Sequence, residues 1–226
     1  MEHLKTPIVV VNFKAYSEAT GTRAVNLAKD IEKAGIDRGL NVAIAVQAVD
    51  IRSVASSVSI PVLAEHADSN EPGSSTGKQV IESLKDAGAM GTLINHSEFK
   101  LEAGYVGEVV ARCREEGFFS LVCAENSDKA AKLAVYKPDM IAVEPSDLIG
   151  SGISVSEAHP EVITDTVEKV YRVRRLPVLC GAGIHEKKDV SKSLELGAKG
   201  VLVASGVVKD NDPYKETKDL LDGLKD

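Results

Sequence analysis

The sequence predicts an α/β protein built as one closed (β/α)₈ barrel, and three observations carry that reading. Eight short apolar runs recur along the chain, separated by longer segments of helical periodicity. The runs are apolar almost throughout rather than alternating, the pattern of parallel strands covered on both faces. No low-complexity linker interrupts the series, and a chain of 226 residues is long enough for such a barrel to fold as a single domain.

The predicted strands lie at 8–11, 42–46, 61–64, 91–94, 119–123, 140–143, 177–180 and 200–204. The predicted helices lie at 23–34, 77–87, 102–116, 128–136, 160–175, 187–196 and 213–224, with a weaker segment at 50–57. Gly35, Gly88, Gly117 and Gly197 each stand just past a periodic segment, where a left-handed cap is expected. A doubly wound open sheet is the alternative. Such a sheet carries a G-x-G-x-x-G turn after its first strand when it binds a dinucleotide. Here the first strand runs into Asn12-Phe13-Lys14-Ala15-Tyr16, so the barrel is favoured and residues 1–226 are read as one domain.

Composition narrows the function. Hydrophobic residues make up 43% of the chain but aromatics only 4%, with no Trp, so the core must be built from Val, Ile, Leu and Ala. The net charge of −7 argues against a nucleic-acid backbone or an anionic membrane as the main partner. A small anion can still be bound locally, by backbone N–H groups and a placed lysine. Cys113, Cys123 and Cys180 are odd in number, far apart and form no C-x-x-C pair, which fits a reducing cytoplasm better than a disulfide framework or zinc site. The apolar run at 8–11 is too short for a signal peptide or a membrane span.

Active sites of parallel barrels form where strands end and helices have not begun. Three such ends carry chemistry. After the first strand, Asn12 and Lys14 are two apart and share a face, with Phe13 on the other. A lysine aimed into a barrel mouth is costly unless an anion meets it; the plainer alternative is a side chain that reaches solvent. After the fourth strand, His96 precedes Ser97-Glu98, which can start a helical turn. A helix N-terminus disfavours the imidazolium and would keep His96 neutral, though a structural histidine also fits. Glu98 either holds Lys14 or caps the turn. After the sixth strand, Pro145 keeps Glu144 extended.

The loop 146–152 that follows has an apolar middle and a glycine-rich end. It suits a lid that excludes water from a ligand, or an ordinary loop packed on its neighbours. The ends of strands seven and eight, Cys180-Gly181-Ala182-Gly183 and Ala204-Ser205-Gly206, are small enough to bring backbone N–H groups close to a phosphate.

With these residues in hand, the chain resembles the triosephosphate isomerases, in their shorter archaeal-type form. The resemblance runs from Asn12-Phe13-Lys14 through Asn95-His96-Ser97-Glu98, Glu144-Pro145 and Leu148-Ile149-Gly150-Ser151-Gly152 to Ala204-Ser205-Gly206-Val207-Val208. It implies a single TIM barrel and the interconversion of dihydroxyacetone phosphate and glyceraldehyde 3-phosphate in glycolysis and gluconeogenesis. It implies Glu144 as general base, His96 as neutral electrophile and Lys14 as the cation beside the developing oxyanion. Asn12 and Phe13 would border the substrate. Gly150, Gly183, Ala204 and Ser205 would hold the phosphate, and Ile149 would be the lid residue. It further implies no metal or organic cofactor, a cytoplasmic location, and self-association as a homodimer or homotetramer with 70–78 as a contact loop. Glu65, Lys78 and Ser146-Asp147 depart from the family pattern. Two rival readings are another phosphate-binding barrel enzyme and a barrel that binds a phosphorylated metabolite without turnover. Neither explains Lys14, His96 and Glu144 together.

Overall fold

The computed structural model describes residues 4–145 and 159–225. Its centre is a closed barrel of eight parallel strands in sequential order. They are β1 (Ile8–Asn12), β2 (Asn41–Val46), β3 (Val62–Ala64), β4 (Gly91–Ile94), β5 (Phe119–Ala124), β6 (Met140–Val143), β7 (Val178–Cys180) and β8 (Gly200–Val203). Closure comes from β8 pairing with β1, Gly200 opposite Ile8 through Val203 opposite Val11. The described helices are α1 (Thr22–Arg38), α2 (Ile51–Ala55), α3 (Ile81–Asp86), α4 (Ala103–Glu115), α5 (Ser127–Ala134), α6 (Pro160–Val173), α7 (Lys187–Glu195), α8 (Ser205–Val208) and α9 (Pro213–Asp222).

The two-residue period of a strand sorts its side chains into two cores. Ile8, Val10, Ala43, Ala45, Leu63, Leu93, Leu121, Ala142, Leu179 and Leu202 fill the barrel. Val9, Val11, Val42, Ile44 and Val46 pack outward with Leu27 and Ile31 of α1. This double burial is why the strands read as unbroken apolar runs. Extending the inward register by one step past the last barrel residue reaches Asn12, Glu65, Glu144, Gly181 and Ala204. The same alternation that fills the barrel therefore selects which residues rim its mouth.

Two predicted helix boundaries move by about a turn. Gly35 does not end the first helix. It lies inside α1, where an added Cβ would come within 2.7 Å of Val42 Cγ1, so its smallness serves close packing of helix on strand. The cap is Gly39, left-handed at φ 63°, whose N–H returns to the carbonyls of Gly35 and Ile36. The third helix begins at Ile81 rather than 77, because the preceding residues are tied to Asp68. That carboxylate accepts from the Gln79 N–H at 2.8 Å, from Lys78 at 3.0 Å and from the Tyr105 hydroxyl at 2.9 Å. Gly88, Gly117 and Gly197 do adopt positive φ past their helices. The short helix α8 has no counterpart among the predicted segments; Ala204 leaves the strand at φ −139°, ψ −94° and starts it.

Candidate active site

The mouth of the barrel at the C-terminal ends of the strands holds a cavity of about 290 Å³. Asn12, Lys14, His96 and Glu144 all line it, together with the segments 181–185 and 203–206. Lys14, His96 and Glu144, successively more than eighty and more than forty positions apart in the chain, thus share one space.

Asn12 and Glu144 arrive by strand register. Asn12 is 4% exposed and its Oδ1 accepts the Lys14 N–H at 3.1 Å. Glu144 is 3% exposed and its own N–H donates to the Ala124 carbonyl at 2.8 Å, which continues the strand ladder by one residue. Its Oε2 has no hydrogen-bond partner among the described residues. A buried carboxylate oxygen left open is expensive, and such a group is a ready proton acceptor. Beneath it lies Gly181, where a Cβ would stand 2.5 Å from Glu144 Cγ. Only glycine leaves room for the base. The Cys123 thiol is buried near Glu144; burial and the neighbouring carboxylate push its pKa well above the ordinary value, so it stays neutral.

Lys14 and His96 arrive differently. Each follows a strand end through a residue with positive φ: Lys14 itself at 49°, and Asn95 at 63° before His96. Asparagine is among the few side chains that tolerate this region. Asn95 is also anchored at both ends of its amide, Nδ2 donating to the Cys123 carbonyl at 2.9 Å and Oδ1 accepting from Leu101 N–H at 2.8 Å. The Lys14 ammonium donates to Glu98 Oε1 at 2.8 Å. Of the two roles open to Glu98, its side chain takes the first.

The expected helical turn after His96 is a single turn, closed by Phe99 N–H to the His96 carbonyl at 2.8 Å, and α4 starts only at Ala103. The influence on His96 is accordingly local rather than that of a helix end. The Glu98 N–H donates to His96 Nδ1 at 3.2 Å, which assigns the proton of the neutral ring to Nε2. Nε2 lies 3.4 Å from Glu144 Oε1. Burial opposes the imidazolium, while the hydrogen bond and charge of Glu144 favour it and prevail, so the pKa of His96 is raised. A donor at Nδ1 works against full protonation, and once Glu144 engages another proton the balance shifts back to the neutral ring.

Among the phosphate candidates, Gly183, Ala204 and Ser205 border the cavity. Phe13 is not brought to it. Its side chain is fully buried in the outer core, because the residue takes the outward register. Ile149 and Gly150 lie outside the described residues. Asn95 and Tyr16 were given no role by the sequence. Asn95 was legible as an asparagine at a strand end before a polar turn, and Tyr16 lines the cavity with no local signal of its own. Glu65, noted as a departure, sits in inward register beside Lys14 and His96; burial raises its pKa to about 7, and its Oε1 is unpartnered among the described residues.

The triosephosphate isomerase family model matches residues 7–220. The chain belongs to the triosephosphate isomerase family. It is 45% identical over 216 residues to the triosephosphate isomerase of Methanothermus fervidus, covering 95% of this chain and 97% of the relative. Identity is 43% to that of Methanocaldococcus jannaschii, over 95% and 98% of the two chains. A crystal structure of triosephosphate isomerase from Bartonella henselae superposes with a TM-score of 0.79 at 18% identity, covering 98% of this chain and 100% of that one, which supports the barrel. Membership makes the protein an isomerase. Among the described residues no group of three or more His, Cys, Asp or Glu could hold a metal ion, and no helix is long and apolar enough to cross a membrane.

Proposed function

We propose that this cavity performs the family's reaction, interconversion of dihydroxyacetone phosphate and D-glyceraldehyde 3-phosphate, with Glu144 as the base. The observation that carries the assignment is the convergence of the open Glu144 carboxylate, the His96 Nε2 and the Lys14 ammonium on one small cavity. Glu144 takes a proton from the carbon beside the carbonyl. The electron pair moves toward oxygen, where His96 Nε2–H and Lys14 meet the developing charge. The resulting enediol or enediolate accepts the proton on the adjacent carbon, and the base is restored. The sum is a rearrangement within one molecule, so no oxidant or other reactant is needed.

The phosphate takes no part in proton transfer. Bound at Gly183, Ala204 and Ser205, it contributes binding energy that holds the reacting carbons against Glu144. Ile149 and Gly150 complete this reading as lid and phosphate residues. A coupled assay with both triose phosphates tests it, with Glu144→Asp as the decisive variant. Withdrawing the carboxylate by one methylene should cost on the order of 10²-fold in kcat with a smaller change in KM. Wild-type kcat in that variant would remove Glu144 as base.

The reading extends to assembly and to a cytoplasmic, glycolytic and gluconeogenic setting. Val49 and Phe99 are 78% and 59% exposed and line a further cavity of about 370 Å³, which Lys14, Glu65 and His96 also border. A second copy seated there would cover both, in a dimer or a tetramer. Light scattering coupled to size exclusion would read one subunit mass if the proposal is wrong.

A further inference from the structure

The chain carries a net charge of −7, and its substrate is an anion. Lys14 lies deep in the cavity and is already matched by Glu98 at 2.8 Å, so its field outside the site is small. Another cation stands at the edge. Lys209 is the first residue after α8, the short helix whose Ser205 and Gly206 border the cavity. Its ammonium lies 4.2 Å from the centroid of the Tyr16 ring, and Tyr16 is itself part of the cavity wall.

The way this charge is held matters. A carboxylate partner would cancel it; an aromatic face positions an ammonium and leaves its charge intact. One acid close by is Glu18, whose backbone and Ser17 hydrogen bonds lower its pKa and which feels both Lys209 and Arg23. Asp210 and Asp212 follow in the chain, and their carboxylates accept from the Asp212 and Lys215 N–H groups at 2.7 and 3.0 Å, not from the Lys209 ammonium. The bland reading of an exposed lysine is solvation alone. Here the residue stacks on a wall of the cavity, next to the helix turn proposed to receive the phosphate.

We propose that Lys209, held on Tyr16, is a capture residue: it draws the phosphate dianion of the substrate toward the loops after β7 and β8. It touches no reacting atom. The inference rests on the phosphate assignment made above, so the test separates the two. Steady-state kinetics of wild type, Lys209→Gln, Lys209→Arg and Lys209→Glu are measured across ionic strength, with inorganic phosphate as competitor. At about 10 mM ionic strength, Lys209→Gln should lower kcat/KM roughly two- to fivefold through KM, and Lys209→Glu by about tenfold. Above about 0.5 M the curves should converge on wild type. Lys209→Arg should retain most of the effect, because guanidinium also stacks on aromatic faces.

An unchanged kcat/KM at low salt in Lys209→Gln, with wild type still inhibited by phosphate, overturns the role of Lys209 alone. A loss that persists at high salt, or that falls on kcat, also overturns it, since a structural defect is not screened. Failure of inorganic phosphate to compete in wild type would overturn the phosphate assignment and this inference with it.

Discussion

The mouth of the barrel is populated by two devices, and the ends of β6 and β4 show the difference. At β6 the register of the strand simply continues: Met140 and Ala142 face the barrel, and Glu144 is the next inward residue. At β4 the register is broken. Asn95 turns at φ 63°, and His96 reaches the cavity only because that turn is pinned by two amide hydrogen bonds. Lys14 after β1 belongs to the second kind and Asn12 to the first. Register places a group rigidly and at no backbone cost, but allows one direction per strand. A strained turn can aim a second group from the same strand end at a different angle, and needs anchors to hold it.

The two devices should fail in different ways. The largest effect is expected at Lys14. Lys14→Ala removes the one Lys or Arg that lines the cavity among the described residues, and kcat/KM should fall by on the order of 10³-fold or more, with the circular dichroism spectrum unchanged. Activity within tenfold of wild type would take the ammonium out of the reaction.

Next comes the support of the register-placed base. Gly181→Ala sets a methyl 2.5 Å from Glu144 Cγ, so the carboxylate must move. A shift of about 1 Å predicts a drop of roughly 10²-fold in kcat with a fold that survives. Near-normal kcat would show that the base has slack in its seat.

Breaking the strained turn should be milder for chemistry and harsher for stability. Asn95→Ala loses two hydrogen bonds and leaves an alanine at positive φ, together a cost of about 2–3 kcal/mol in chemical denaturation. Asn95→Gly keeps the backbone without the anchors and should recover part of it. Equal stability of the two variants would mean that the backbone region is not strained here.

The smallest effect concerns Glu65, the inward-register acid of β3. Its pKa rises from an ordinary 4.5 to about 7, chiefly through burial. Between those values the folded chain keeps a proton that the unfolded chain releases, so stability falls as pH rises through this window and the loss is complete above about pH 7. Glu65→Gln should therefore stabilise by about 1–2 kcal/mol near pH 8, allowing for partial access of water, and by little at acid pH. A gain that does not depend on pH would assign it to packing instead.

Much of this was legible before the fold was seen. The inward partners of Asn12 and Glu144 follow from counting by two along apolar runs, and the barrel class follows from eight such runs. Phe13 shows the limit of the resemblance: Asn12 and Lys14 on either side of it line the cavity, while the outward register of the strand sends its ring into the outer core. Gly35 shows the limit of local rules, for a glycine near a helix end reads as a cap until the strand beneath it is known.

The sequence alone determined the repeating unit, the strand faces and the residue types available at each strand end, because these depend on periodicity and on chemistry local to a few residues. Tertiary structure decided which of those ends meet. That Glu144 needs Gly181 beneath it, that Glu98 holds Lys14, and that Tyr16 carries Lys209 all depend on closing eight strands into a ring. Contacts across a ring join residues distant in the chain, and no local pattern records a distance that only closure creates.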